Sequence, residues 1–517
     1  MFKLSDDEIE RAYKCIQHHG FSTLIPDPPE WQDLVSNWGA VKEQVSNLDL
    51  DNYLPTTPMR IFAPKSRYNL RVVTHLHPID LLIYTALVLI VRDDIENARI
   101  PTSKKTVFSY RSKQNLENQL YHGDGAYQKY KEELLKRADM VSCKYVAIAD
   151  IADFFPRLYQ HRLENVIGTV ATDERSESIA RVLIQKFVRN LSGGASYGIP
   201  VGPYASRNLA EALLIDVDSA LQVKRFKFVR WVDDFTFFCR SDTEAQHCLF
   251  YLSQWLFEKH GLTLQSAKTR IVPKSKFIAD NLKTHENKLE EHGKVLKDLW
   301  SDISPYEDEK VELDADDRAE LEQINFEELL QEALRNKDEI DYDMISFLLG
   351  RLSLIDEFKD EWRQTFVDLV LSNIEHLYPI SDSIARFFKS FENLTKSERN
   401  KIATALLKPV LSSKIPPPDY YTMWILSVFI ESDEWKNATK LAKVYEQTHS
   451  EVVRRYSALA IEKNGTRSEA LLVQASYEQA SPMLQLAILR ATRLLGKDER
   501  KFWLRKQLVN GILEKKI

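Results

Sequence analysis

Residues 227–240 read KFVRWVDDFTFFCR, and this stretch decides how the rest of the chain is read. Two arms rich in β-branched and aromatic residues flank a central pair of acids, the pattern of a hairpin. Asp233 and Asp234 fall at its tip, between Val232 and Phe235. A second short apolar run, CKYVAIADI at 143–151, reads as a buried strand that ends in Asp150. Between the two, PYASRNLAEALLIDVDSAL (203–221) carries apolar residues at helical spacing.

An acid at the end of a buried strand costs free energy unless its charge is compensated. Two adjacent aspartates add mutual repulsion. A divalent cation relieves both, because Mg²⁺ takes hard oxygen ligands and is commonly shared between carboxylates and substrate phosphates. Two such ions, about 3.5–4 Å apart, activate an attacking hydroxyl and stabilise a leaving group. An isolated Asp-Asp pair is more often a surface turn, so the neighbours must carry the reading.

Those neighbours resemble the reverse transcriptases. YVAIADIADFFPRLYQHRL (145–163) resembles their first palm motif, and GIPVGPYASRNLAE (198–211) the second. FVRWVDDFTFF (228–238) resembles the third, with Trp231 in the place of tyrosine, and LTLQSAKTRI (262–271) the fourth, with Lys268 in the lysine position. The order is that of the family, and 83 residues separate Asp150 from Asp233. The resemblance implies an α+β chain with right-hand polymerase fingers and palm, the palm an antiparallel sheet with helices. An all-α, repeat-like domain would follow.

The resemblance also implies roles. Asp150, Asp233 and Asp234 would hold Mg²⁺, or Mn²⁺ in its place, with the backbone carbonyl of Ile151 as a further ligand. Phe155, five residues after Asp150, matches a gate against the sugar 2′-hydroxyl, so deoxynucleotides are the expected substrate. Gly198, Pro200, Gly202 and Pro203 make a bend where the backbone can approach a base pair. Val201 stands where many relatives have glutamine. Lys268 is a candidate general acid toward pyrophosphate. YNLRVVTHLHPIDLLIYTALVL (68–89) resembles the fingers, where Arg71, and after it Lys65, Arg67 and Arg111, would meet the triphosphate through paired phosphate contacts. Asp153 is read as orienting the loop or meeting the triphosphate through its backbone amide, Asp216 and Asp218 as structural, Trp231 as core or primer-contacting, and Phe154, His75 and His77 as core.

The remainder of the chain sets the frame. With 517 residues there is room for two to four domains at about 100–200 residues each. Lys+Arg 70 against Asp+Glu 76 gives a net charge of -6, which excludes a protein that coats nucleic acid by bulk charge. Residues 60–115 run the other way, with ten basic against four acidic residues. At 302–322 ten acids stand against two basic residues, which reads as a solvated connection. The expected divisions are an N-terminal helical extension (1–59), fingers (60–144), palm (145–300) and a helical domain (301–517). In the last, amphipathic stretches start near Pro379, Pro417, Glu451 and Ser481, at spacings of 38, 34 and 30 residues; a paired-helix repeat and an irregular bundle both fit.

Cys15, Cys143, Cys239 and Cys248 form no CxxC pair, so neither a zinc site nor a disulfide scaffold is expected. The N-terminal stretch lacks the apolar core of a secretion signal, and the longest apolar run, Leu81 to Val91, is too short to span a bilayer. A cytoplasmic protein is the expectation. Its partners would be dNTPs, RNA as template or non-coding partner, the DNA product and a further copy of itself, with no membrane. The GIPVGPxxSRNLAE form and the long helical C-terminal part resemble the prokaryotic abortive-infection, antiphage branch of the family. Some of these relatives start synthesis from a hydroxyl of their own chain, for which Tyr420, Tyr421, Tyr445, Tyr456 and Tyr477 are candidates, although each also reads as a helix-face aromatic. Competing readings are a template-independent terminal transferase on the same palm and a helical interaction protein carrying an inactive polymerase.

Overall fold

The computed structural model describes residues 1–65, 69–112, 118–122, 125–282, 319, 324–335, 340–352, 360–391, 394–507 and 511–517. Arg67 and all but one residue of the acidic stretch 302–322 lie outside them. The chain divides into two compact units. The first holds residues 1–20, 45–55 and 81–324; the second holds 21–44, 56–80 and 325–517.

At the centre of the first unit is a four-stranded antiparallel sheet. Its strands are β3 (Tyr145–Asp150), β4 (Phe228–Trp231), β5 (Asp234–Cys239) and β6 (Arg270–Pro273), in the order β4-β5-β3-β6. β3 is interior, with β5 and β6 on its two sides, and this explains its unbroken apolar sequence. Phe228, Phe235 and Phe237 fill the core beside it, with ring centroids 6.0–6.4 Å apart.

Five helices of this unit matter for the site: α1 (Pro78–Ala98), α2 (Ala126–Asp139), α3 (Ala205–Leu213), α4 (Ile215–Val223) and α5 (Asp242–His260). The predicted helix over 203–221 is thus two helices, broken at Leu214. α5 packs on β3 and β5, and α2 packs on β4 and β5. α5 starts where the Ser241 hydroxyl accepts from the Glu244 N–H and stops at Gly261, whose φ of +64° suits glycine.

The second unit contains the hairpin of β1 (Met59–Pro64) and β2 (Leu70–His75) and a stack of helices. One row consists of α6 (Tyr342–Leu352), α8 (Ser381–Lys389), α10 (Asp419–Glu431), α12 (Glu451–Asn464) and α14 (Pro482–Ala491). A second row consists of α7 (Asp360–Ser372), α9 (Lys396–Ser412), α11 (Ala438–Gln447) and α13 (Arg467–Gln474). Each helix packs on its neighbours within its row, so the paired-helix repeat, rather than an irregular bundle, describes this part. α10 is buried from Tyr420 to Ile430, as its apolar circumference requires, and β1 packs on it. Arg455 of α12 reaches both carboxylate oxygens of Glu30 at 2.8 Å, and both side chains are fully buried. His75 and His77 are buried, as expected of core histidines.

All five tyrosines considered as priming residues are buried. The Tyr421 hydroxyl donates to the Leu406 carbonyl at 3.0 Å, and that of Tyr445 is paired with Ser476. Among the described residues no helix is long and apolar enough to cross a membrane.

Candidate active site

The hairpin forms at the predicted place with a tighter turn than the sequence suggests. Trp231 pairs with Asp234, so only Val232 and Asp233 make the loop, and Asp234 is already the first residue of β5. A two-residue loop of this kind favours glycine at its first position. Here that position is Val232, with φ +50°.

Across the β3–β5 ladder, Asp150 stands in register with Asp234. The Ile151 N–H donates to the Asp233 carbonyl at 3.2 Å, which ties the end of β3 to the turn. On its other side the end of β3 meets the fourth motif: Ala152 N–H donates to the Thr263 carbonyl at 2.9 Å, and Gln265 N–H to the Asp150 carbonyl at 2.7 Å. The turn that follows, closed by the Gln265 carbonyl, presents Lys268. Its Nζ donates to Asp150 Oδ2 at 2.6 Å.

The electrostatics reflect this convergence. Burial pushes the Asp234 carboxyl up to about 7, and the nearby charges of Asp233 and Asp150, with a hydrogen-bond contact to Asp150, push the same way. Burial works against the Lys268 ammonium, yet Asp150, Asp234 and Asp233 outweigh it and hold its pKa above the ordinary value. The three aspartates named from sequence therefore meet, and Lys268 balances part of their charge. Among the described residues no group of three or more His, Cys, Asp or Glu side chains forms a ready-made metal site. Mg²⁺ is usually held by one or two carboxylates plus substrate phosphates rather than by an all-protein cage. The carboxylates that could hold a divalent ion in this way are those of Asp150 and Asp234, which face each other across the ladder.

Phe155 is half-buried, and its ring meets that of buried Phe154 edge-on at 5.8 Å. Gly198 has φ +86°, and a Cβ there would lie 3.0 Å from the Pro156 carbonyl oxygen, so the second motif presses directly on the loop after the first. Buried Gln160 stitches the two, its Nε2 donating to the carbonyl of Gly198 at 2.8 Å and to Ser192 Oγ at 3.0 Å. Gly202 has φ +121° and is half-buried beside buried Pro203; Val201 is half-buried. Asp153 is exposed at φ +48°, 3.7 Å from Arg157. Trp231 is core, its ring 5.0 Å from Tyr127 and 5.6 Å from Tyr130. Asp216 bonds Arg162 at 2.6 Å and Asp218 bonds Arg230, both structural.

The fingers residues divide. Arg71 is exposed on β2, opposite Ala63, and Lys65 is exposed; both belong to the second unit. Arg111 is a correction. It is buried, and its Nη2 is paired with Glu96 at 2.6 Å inside the first unit.

Sequence reasoning missed a buried ion network beneath the hairpin. Arg230 is fully buried and donates to Asp218 at 2.8 and 2.6 Å, to Glu211 Oε2 at 3.0 Å and to the Val232 carbonyl at 2.7 Å. Arg99 donates to the same Glu211 oxygen at 2.7 Å. Burial opposes the Arg230 charge, and Asp218 with Glu211 more than restores it. A charged residue inside the apolar run FVRWV, and a glutamate inside the apolar helix face of α3, were the available signals.

Residues 64–288 match the reverse transcriptase (RNA-dependent DNA polymerase) family. The chain carries a reverse transcriptase domain. It is an RNA-directed DNA polymerase, a nucleotidyltransferase. Reverse transcriptases bind an RNA template and nucleotides and use divalent metal ions. No curated protein matches the sequence. Similar solved structures include apo telomerase from Candida tropicalis, at 12% identity over 77% of this chain and 74% of that one, with a TM-score of 0.33. Telomerase from Candida albicans in complex with a TWJ fragment of telomeric RNA is similar at 15% identity over 77% of this chain and 70% of that one, with a TM-score of 0.31.

Proposed function

We propose that this reverse transcriptase serves antiphage defence, adding deoxynucleotides to a 3′ or protein hydroxyl with Mg²⁺ held by Asp150, Asp233 and Asp234. One observation carries the chemistry: Asp150 faces Asp234 in register, Asp233 occupies the adjoining turn, and Lys268 closes on Asp150. Hard carboxylate oxygens suit Mg²⁺, with Mn²⁺ able to take its place and the Ile151 carbonyl as a further ligand. When bound, the ions supply an activated hydroxyl and neutralise charge on the leaving pyrophosphate.

The chain's own groups do the rest. Phe155 packs on the sugar and excludes a 2′-hydroxyl. Gly202 and Pro203 bring backbone up to the nascent base pair. The Lys268 ammonium, which balances Asp150 in this structure, is the proton donor toward pyrophosphate. Burial of the five tyrosines favours an external 3′-hydroxyl over any of them as primer. The antiphage setting is supported by the form of the second motif and by the helical C-terminal unit.

The test is direct. Purified protein with Mg²⁺, dNTPs and a primed RNA template should extend the primer, and Asp233→Ala with Asp234→Ala should abolish extension and phage protection together. Protection that survives this double substitution would sink the reading in favour of a binding protein. Co-purifying nucleic acid, treated separately with RNase, DNase and protease, identifies template and primer; DNA that enters the aqueous phase only after protease is primed from protein.

A further inference from the structure

Val232 presents an energetic problem. A β-branched residue in the left-handed region is strained, and such a conformation persists only where the surroundings impose it. Here both polar groups of the Val232 backbone are held. Its carbonyl accepts from Arg230 at 2.7 Å, and its N–H donates to Ser109 Oγ at 2.9 Å. All three residues are buried.

The Ser109 hydroxyl has one proton to give. That proton goes to Glu211 Oε1, so a lone pair is left facing the Val232 N–H. The other oxygen of Glu211 is gripped by Arg99 at 2.7 Å and by Arg230 at 3.0 Å. Arg99 also donates to the carbonyls of Ser109 at 2.7 Å and Tyr110 at 2.9 Å, fixing the segment that carries the hydroxyl. That segment lies along β4, with Arg230 N–H donating to the Thr106 carbonyl at 2.8 Å. The two clamps on Val232 thus belong to one network, anchored on α3, α4 and Arg99, the residue after α1.

We infer that Ser109 is a positioning residue for the aspartate hairpin: through its bonds to Glu211 and Val232 it holds the Val232–Asp233 turn left-handed and so sets Asp233 and Asp234 against Asp150. The functional half of this inference rests on the reading of those aspartates as metal-holding residues.

The experiment uses the full chain and three readouts: amide hydrogen exchange of the hairpin, Mn²⁺ affinity without nucleotide, and kcat against KM for dNTP. Ser109→Ala removes one buried hydrogen bond from each of two partners. Exchange at Val232–Asp234 should quicken and Mn²⁺ affinity should fall, each by about tenfold, the scale of one such bond. kcat should fall while KM changes little. Glycine occupies the left-handed region at no cost, so adding Val232→Gly should restore both exchange and Mn²⁺ affinity toward those of Val232→Gly alone. If Ser109→Ala by itself does not fold, the Val232→Gly background supplies the comparison. Exchange and affinity unchanged in Ser109→Ala overturn the inference. So does faster exchange spread evenly over β3 to β6 without rescue by glycine, which marks general destabilisation. Asp234→Asn separates the two layers: if it binds Mn²⁺ like the unaltered protein, the metal reading fails while the exchange arm still tests the latch.

Discussion

Asp150 sits directly opposite Asp234 across the β3–β5 ladder, and their carboxyls are in contact. Two acids so placed repel, and Lys268 on Asp150 at 2.6 Å compensates part of their charge. Ionising both works against the fold.

Asp234→Asn should therefore separate stability from activity. The Asp234 carboxyl is raised from its ordinary 3.8 to about 7, by burial first and by Asp233 and Asp150 next. A raised carboxyl destabilises the fold increasingly as pH climbs from its unfolded value to its folded one, and the penalty is complete above about 7. In divalent-free buffer the asparagine variant should melt higher than the unaltered protein. The gap should widen up to about pH 7 and then level off, while primer extension is lost. Calorimetry across pH 4–9 checks this, and an equal or lower melting temperature at pH 8 would contradict it.

Arg230→Met should be far more damaging than its distance from substrate suggests. It strands the buried Asp218 carboxylate, leaves Glu211 to Arg99 and Ser109, and removes the donor to the Val232 carbonyl. Breaking one side of a buried ion pair costs about 3–5 kcal/mol. Urea unfolding of the variant should show a loss on that scale.

Gly198→Ala tests the joint between the first two motifs. The new methyl meets the Pro156 carbonyl at 3.0 Å on a backbone at φ +86°. A loss of about 1–3 kcal/mol is expected from the strained backbone. Primer extension should fall with it, because Phe155, whose carbonyl accepts from Ile199 N–H at 3.2 Å, would be displaced.

Phe155→Val should admit ribonucleotides. Removing a ring that excludes one hydroxyl is expected to relax dNTP preference by about tenfold or more, read as the ratio of kcat/KM values. An unchanged ratio would leave Phe155 as a packing residue beside Phe154.

The second unit carries its own pH signature. His77 and Glu514 lie 3.4 Å apart. Burial opposes the His77 charge, but Glu514 and Asp80 prevail and raise its pKa above 6.5. Burial likewise opposes the Glu514 charge, and His77 lowers its pKa below 4.5. The histidine contribution is complete below pH 6.5 and fades as pH rises through its folded value; the glutamate contribution is complete above 4.5 and fades as pH falls through its folded value. Stability should peak between the two, and Glu514→Gln should flatten the alkaline side of the peak in a melting series.

Much of the site was legible because its chemistry needs particular residues in a particular order. Asp150, Asp233, Asp234 and Lys268 could be named from four short motifs, and the strand ending at Asp150 from its apolar run. Arg111 went astray for a reason of range: its basic neighbourhood suggested a phosphate contact, while its ion partner Glu96 lies one helix earlier in the fold. The bonds that join Ser109 and Arg99 to Glu211 were invisible because contacts spanning about a hundred residues leave no local pattern.

By itself the sequence determined that a buried strand ends at Asp150, that a hairpin carries Asp233 and Asp234, and that the C-terminal part is helical, since these follow from hydrophobic period and residue type over a few neighbours; that these acids belong together was implied by the resemblance of the motifs. Only the tertiary structure decided that Val232 is bent left-handed, that Asp234 rather than the turn faces Asp150, and that Lys268 closes the group. The physical reason is that register and charge compensation are settled between segments far apart in the chain, where packing and buried hydrogen bonds, not local propensity, choose the conformation.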